Sequence, residues 1–148
     1  MEVKNKHFNQ LTTTEFLEIA KLRVAVFVVE QNCPYQEIDE IDQQAWHVWL
    51  TDEAGQIAAY GRVYGNEEVS HLGRVLVRQE QRAHHLGERL LQELLQVAMA
   101  KFPQRPIEIG AQAHLQKFYG KAGFHTVSEV YLEDDIPHVK MLREAVPL

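Results

Sequence analysis

The sequence predicts one α/β domain of the α+β kind, a mixed β-sheet with helices, running through residues 1–148. Three observations lead there. The 148 residues are 45% hydrophobic and 24% charged, the composition of a single globular domain, and a chain of this length buries roughly 70% of the surface it exposes when unfolded. Helical and strand periodicities are interspersed without a strict βαβ rhythm. No repeat, low-complexity tract or linker divides the chain, and Gly and Pro stand singly.

The first helix starts at Thr12. Thr12 and Glu15 have capping-box spacing, and Leu11 and Phe16 take the hydrophobic-staple positions. Phe16, Ala20, Val24 and Phe27 recur at helical spacing, with Leu17 and Ile19 widening the stripe. The helix is expected to end near Glu30, because Cys33 precedes Pro34 and is pushed towards extended geometry. Residues 34–44, PYQEIDEIDQQ, read as an acidic loop with room for one short helix. Ala45–Thr51 and Gln56–Tyr64 read as a hairpin whose turn, Asp52–Gly55, puts Gly55 where a positive φ is needed. Val69–Val77 reads as a further strand, and Gly73 within it marks a bulge or a close backbone approach.

After a basic turn, Arg78–Gly87, the residues Leu90, Leu91, Leu94, Leu95 and Ala98 form the stripe of a long helix closed by Pro103 and Pro106. Ile107–Ala111 reads as a short buried strand. His114–Lys121 reads as a short helix with Gly123 as its C-cap. Phe124–Leu132 and Val139–Arg143 complete the domain as a hairpin turning around Glu133–Pro137.

Composition excludes several functions. Lys and Arg total 15 against 21 Asp and Glu, a net charge of −6, which argues against nucleic acid, whose binding rests on Lys and Arg neutralising phosphates. Cys33 is the one cysteine, so no internal disulfide or thiolate cage forms; it reads as a small thiol rather than a nucleophile. The eight His lack metal-ligand spacing, so no metal is expected. No apolar run approaches the roughly 20 residues of a membrane span, and the N-terminus has no apolar leader. These features lead to the expectation of a soluble, cytoplasmic protein without membrane contact. Arg23 and Arg62 stand in apolar segments and need partners; the acids of Glu30–Asp42 are the candidates.

The stretch richest in chemistry is the strand Leu72–Val77, the turn to His85 and Gly87 opening the long helix. A helix start offers free N–H groups and a partial positive charge, a site for phosphate, and Gly87 allows close approach; a plain turn has the same pattern. About thirty residues on comes a second pattern, Ile109 to Phe124. Arg82-Ala-His-His-Leu-Gly87 is similar to the Q/R-x-x-G-x-G/A signature of the GNAT family of N-acetyltransferases, and Phe118-Tyr119-Gly-Lys-Ala-Gly123-Phe124 resembles that family's tyrosine helix and Gly-Phe ending. Leu22-Arg23-x-x-Val26-Phe27 fits as well. Val26–Gln36, Gly110–Leu115 and Ile136–His138 resemble the family's ElaA-type branch. The likeness covers essentially the whole chain. One departure is His85, where the family has a glycine. A non-glycine residue can still donate its N–H there if its φ stays negative, and its side chain can add a donor.

The resemblance implies a mostly antiparallel central sheet flanked by helices, acetyl-CoA as acyl donor, no metal, and a cleft between Leu72–Val77 and Ile107–Ala111. Val75 and Val77 would pair with the pantetheine, and the N–H of Val75 or Leu76 would meet the oxyanion. Arg82, Ala83, His84, His85, Leu86, Gly87 and Glu88 would hold the pyrophosphate, with Gln112, Leu115 and Phe118 as further cofactor contacts. Tyr119 matches the acid that protonates the leaving thiolate; the alternative is a core aromatic. The base is His138 or Glu30, with Glu37, Asp39, His47 and a water relay also open.

The acids gather in Glu37, Asp39, Glu40 and Asp42 and again in Glu129, Glu133, Asp134 and Asp135, flanking the acceptor groove of such a fold. Glu37, Asp39, Asp42 and His47 are expected to bind and steer a cationic acceptor, a small amine, polyamine or Lys side chain; a solvated loop is the competing reading. Of Trp46 and Trp49, on opposite strand faces, one is expected in the core and the other along the groove. A non-catalytic CoA or acyl-CoA sensor on the same fold is the alternative function, and a homodimer is open by analogy.

Overall fold

The computed structural model describes residues 1–145. Its first helix begins as the capping box dictates: the Thr12 hydroxyl accepts from the Glu15 N–H at 3.0 Å and Glu15 Oε1 accepts from the Thr12 N–H at 2.9 Å. Helix α1 spans Thr13–Arg23 and continues as a wider π-helical stretch, Val24–Glu30, so the chain leaves the helix where Pro34 requires. Before it lies a strand absent from the sequence reading, β1 (Glu2–His7). Its charged, half-exposed residues carry no apolar alternation, and only pairing with β2, from Glu2↔Thr51 to His7↔Trp46, defines it.

The remaining elements are β2 (Trp46–Thr51), β3 (Ile57–Gly65), β4 (Ser70–Val77), α2 (Leu86–Lys101), β5 (Ile107–Gln112), α3 (Gln116–Gly120), β6 (His125–Thr126), β7 (Tyr131–Glu133) and β8 (Ile136–Arg143). They form one mixed sheet in the order β1-β2-β3-β4-β5-β8-β6, with β7 also pairing β8. The expected strand Phe124–Leu132 is broken into β6 and β7. Between them the Val127 N–H bonds the Lys140 carbonyl at 2.9 Å while Ser128 Oγ takes the Lys140 N–H at 2.8 Å, so a side chain replaces a ladder partner. Asp134 and Asp135, both at positive φ, make the tight β7–β8 turn.

Two apolar layers sandwich the sheet. On one face α2 packs Leu90, Leu94 and Ala98 on Val48, Ala59, Val63 and Ile109. On the other, Ile19, Leu22 and Val26 of the α1 segment cover Trp49, Tyr60 and Leu76. Gly61 permits the first packing, since a Cβ there would lie 2.7 Å from Leu94 Cδ1.

The register slips between Leu50 and Thr51 of β2 against β3, and again where β4 leaves β5. The sole parallel pair among the described residues, β4–β5, holds at Ser70↔Ile107 and His71↔Glu108. Just beyond, β4 bulges: its register against β3 slips between Tyr60 and Arg62, and Arg74 takes a φ of +52°. The bulge that Gly73 forecast is there.

Gly61→Ala is expected to cost about 1–3 kcal/mol by overpacking against Leu94, read as a lower urea midpoint at unchanged slope.

Candidate active site

The segment between α1 and β2 is fixed by a closed ring of ion pairs. Arg23, fully buried, donates through Nε to both oxygens of Glu37 at 3.1 and 3.0 Å and through its Nη atoms to Asp42. Arg62 of β3 donates to Asp42 at 2.9 Å and to Asp39 at 2.7 and 3.2 Å. Arg74, at the bulge, pairs with Asp39 at 3.3 Å and with the Glu37 carboxylate. Each carboxylate therefore meets two guanidinium groups, and three charges of each sign balance. Burial alone would raise the Asp39 and Asp42 carboxyls, but the hydrogen bonds and charges of Arg62 and Arg23 win and hold both below the ordinary 3.8.

His47 braces the ring from β2. Its Nε2 faces the Asp42 carbonyl at 3.0 Å and its Nδ1 the Tyr60 hydroxyl at 2.7 Å. A carbonyl only accepts, so Nε2 carries the proton and Tyr60 donates to Nδ1. Burial pushes this neutral imidazole below its ordinary 6.5. The expectation that Glu37, Asp42 and His47 meet the acceptor is thereby corrected. All three are buried and engaged; of the four residues so assigned, only Asp39 lines the cleft.

That cleft, about 1010 Å³, opens where β4 and β5 part. The Arg78 N–H bonds the Ala58 carbonyl at 2.8 Å. Alternation along an antiparallel pair then turns Leu76 towards β3 and leaves the backbone groups of Val75 and Val77 on the side of the gap, where the Val77 carbonyl accepts from Arg82 Nε at 3.0 Å. Val75, rather than Leu76, thus has the free N–H. Gln112, Leu115, Phe118 and Tyr119 line the opposite side.

At one end of the cleft α2 begins with no side-chain cap, so its first N–H groups lack partners and carry the positive end of the helix dipole. His85 precedes it at φ 57°, ψ 22°, so the condition of a negative φ is not met. A left-handed residue after the six-residue 3-10 helix Gln79–His84 is the αR-αL arrangement that turns successive N–H groups into one concavity. The departure from glycine therefore keeps the glycine-like conformation. A Cβ on Gly87 would sit 3.4 Å from the Phe118 ring, an ordinary contact, so the start of α2 lies directly against α3. Ala83, His84, His85, Leu86 and Glu88 stay outside the lining, which takes Arg82 and Gly87 from the turn. Arg82 forks onto the Glu30 carboxylate at 2.7 and 3.0 Å. Glu30, a candidate base from the sequence, stands instead as the ion-pair partner of Arg82.

Tyr119 has the surroundings of a core aromatic and also reaches the cleft. It packs edge-on between Phe118 and Phe124, at 5.0 and 5.9 Å, and it lines the cleft. Burial pushes its hydroxyl up to about 12. His138 Nδ1 lies 2.7 Å from the Ile136 carbonyl, so Nδ1 carries a proton. Glu133 lies 3.5 Å from the Nε2 of the same ring, and the Tyr131 ring stacks on the imidazole at 6.0 Å.

The sequence reading missed Tyr35, Tyr64 and Arg74, which line the same cleft. The Arg74 guanidinium lies 5.6 Å from the Tyr35 ring and that of Arg62 5.6 Å from Tyr64. The adjacency of Arg74 to the bulge glycine was the available signal. Trp46 does not wall the groove; it packs on His7 at 5.2 Å and under Lys101 Nζ at 4.1 Å, while Trp49 is core. Cys33 donates to the Asp134 carbonyl at 3.2 Å, and burial with the Asp134 and Asp135 charges pushes its thiol up, away from a nucleophile. Among the described residues no group of three or more His, Cys, Asp or Glu is placed to hold a metal, and no helix is long and apolar enough to cross a membrane.

Acid should unfold the protein in two stages. His47 is depressed in the folded state, so below about pH 6.5 the unfolded chain binds the extra proton and stability begins to fall. The Asp39 and Asp42 contributions are complete above about pH 4 and are lost as pH falls through their lower folded values. Melting temperatures from pH 8 to 2 check this; a curve flat between pH 6.5 and 4.5 would remove the His47 stage.

A family model described as an acetyltransferase (GNAT) domain matches residues 14–145. The protein ElaA of Escherichia coli K12 is 39% identical over 99% of this chain and 98% of its own, and the E. coli ElaA crystal structure superposes with a TM-score of 0.92 over 97% of this chain and 100% of that one. A crystal structure of an acyl-CoA N-acyltransferase from Pseudomonas aeruginosa, 41% identical, matches at 0.89 over 97% and 99%. An aminoglycoside 6′-N-acetyltransferase complexed with coenzyme A, only 14% identical, shares the fold at 0.72 over 100% and 99% of the two chains. The chain, with its parted β4–β5 pair beside an uncapped helix start, belongs to the GNAT family of acetyltransferase domains.

Proposed function

We propose that this chain transfers an acetyl group from acetyl-CoA to a primary amine on a small molecule or a Lys side chain. One observation carries the reading: the free edge of β4, the uncapped start of α2 and the Tyr119 side chain all border one cleft. The N–H concavity at His85–Gly87 and Arg82 suit a pyrophosphate, as backbone donors and a guanidinium bind phosphate oxygens without needing a basic protein. The Val75 and Val77 backbone suits the amide-bearing arm of the donor.

The chemistry divides among three groups. The amine nitrogen attacks the thioester carbon, and its proton leaves to His138 Nε2. The Val75 N–H faces the oxygen that gains charge. The carbon–sulfur bond breaks, and Tyr119 gives its proton to the departing thiolate; a hydroxyl held near 12 is protonated at every working pH and recovers its proton readily.

The test is thiol release from acetyl-CoA against a panel of amines. Tyr119→Phe should lower kcat by roughly 10²–10⁴-fold with the Kd for acetyl-CoA unchanged; an equal kcat would reject the acid role. Binding of CoA with no turnover on any amine would favour the sensor reading.

The Arg82–Glu30 fork generates a second expectation. Both side chains are partly exposed, and Glu30 competes with an incoming phosphate for the guanidinium. Glu30→Gln should tighten CoA binding by up to roughly fivefold, the worth of one such surface pair, measured by calorimetry. Weaker binding would mean that Glu30 holds Arg82 in its binding pose.

A further inference from the structure

The acceptor end of the cleft is not the open acidic wall that composition suggests. Its inner carboxylates are all held by arginines, so they offer an incoming polycation little unneutralised charge. Two other features are left over. Arg62 is 3% exposed and its Nη atoms are bound to Asp39 and Asp42, yet its Nε–H has no partner in the protein. Buried donors left without an acceptor are uncommon in native proteins. The residue opposite on β4 is Gly73. A Cβ there would lie 3.8 Å from Arg62 Nε and 4.0 Å from the Tyr64 ring, ordinary contacts, with no other atom as near. Gly73 is not among the residues at positive φ. Neither crowding nor backbone conformation therefore calls for glycine. Its missing side chain leaves a notch on the cleft lining beside the free donor.

On the opposite side of the cleft the β7–β8 turn brings Glu133, with a side chain 59% exposed, to 3.5 Å from His138 Nε2. The cleft thus has an acidic rim next to a basic nitrogen, and a donor-bearing notch in its inner wall.

We infer that the acceptor carries a hydrogen-bond-accepting oxygen close to its amine. The oxygen enters the Gly73 notch and takes the Arg62 Nε–H, while the amine is drawn to Glu133 and His138. This rests on the acetyl-transfer reading and names its acceptor class: a hydroxylated amine, an amino amide or an amino acid, not a plain alkylamine or polyamine. A neutral oxygen satisfies the donor without adding charge to a ring already balanced. A carboxylate gains from Arg74 but meets Asp39, so comparison of the oxygen types shows which of the two forces dominates.

The experiment uses propylamine, ethanolamine, glycinamide, glycine and spermidine. It measures kcat/KM with acetyl-CoA and, independently of turnover, the affinity of each compound for the protein–CoA complex by ligand-observed NMR. The best oxygen-bearing compound should exceed propylamine and spermidine by roughly tenfold, the effect of one buried hydrogen bond. Gly73→Ala places a methyl group in the notch at ordinary contact distances. It should bring that ratio close to one while the CoA Kd stays the same. Propylamine or spermidine equal to the best compound, a preference that survives Gly73→Ala, or a shift in CoA affinity in that variant would each overturn the inference. Absence of turnover on every amine would instead refute the acetyl-transfer reading, and the affinity order would still decide the notch.

Discussion

Six buried or half-buried charges, alternating in sign around a ring, give one end of the cleft its shape. Glu37, Arg23, Asp42, Arg62, Asp39 and Arg74 each contact the next, and Arg74 closes on Glu37. Taking one ion out of water costs several kcal/mol, and an isolated buried pair seldom recovers it. Here every ion has two opposite neighbours and the sum is zero, so the ring recovers in mutual attraction what an isolated pair loses. The converse also holds: loss of Arg23, Glu37, Asp42 or Arg62, the members shut off from water, leaves an uncompensated buried charge, at about 3–5 kcal/mol. The ring gives a definite position to a segment that has little apolar pattern of its own.

Its last member ties the ring to the opening of the sheet. Arg74 sits at positive φ in the β4 bulge, a conformation that costs a non-glycine residue of order 1 kcal/mol or more. Its contacts with Glu37, Asp39 and Tyr35 offset that cost. The position that closes the ring is thus also the one where β4 turns out of line, a few residues before its free backbone edge faces β5. The ion-pair ring and the parting of β4 from β5 share one backbone distortion.

Two further contacts span the cleft. Arg82 and Glu30 join the turn before α2 to the end of the first helical segment, and the Cys33 thiol reaches the β7–β8 turn across 101 positions of chain. The first lies beside the start of α2, and the second joins the loop after the first helical segment to the β7–β8 hairpin. A cation–carboxylate fork and a weak thiol hydrogen bond are both contacts that an incoming ligand can exchange for its own.

Local rules wrote much of this in the sequence. The capping box at Thr12, the Leu90–Ala98 stripe, the turns at Gly55 and Asp134–Asp135 and the bulge at Gly73 each need only a few adjacent residues, so the chain alone determined them. The paired signatures around Arg82–Gly87 and Phe118–Phe124 determined the family in the same way. What only the tertiary structure decided depends on partners distant in the chain. β1 exists because β2 offers it a ladder. Glu37, Asp42 and His47 are structural because Arg23, Arg62 and Tyr60 reach them from α1 and β3. Sequence showed that Arg23 and Arg62 needed carboxylates and that carboxylates were near. Whether an acid neutralises a buried arginine or greets a substrate is a matter of where the other charges fold to, because an ion's role is set by its nearest opposite charge and its access to water.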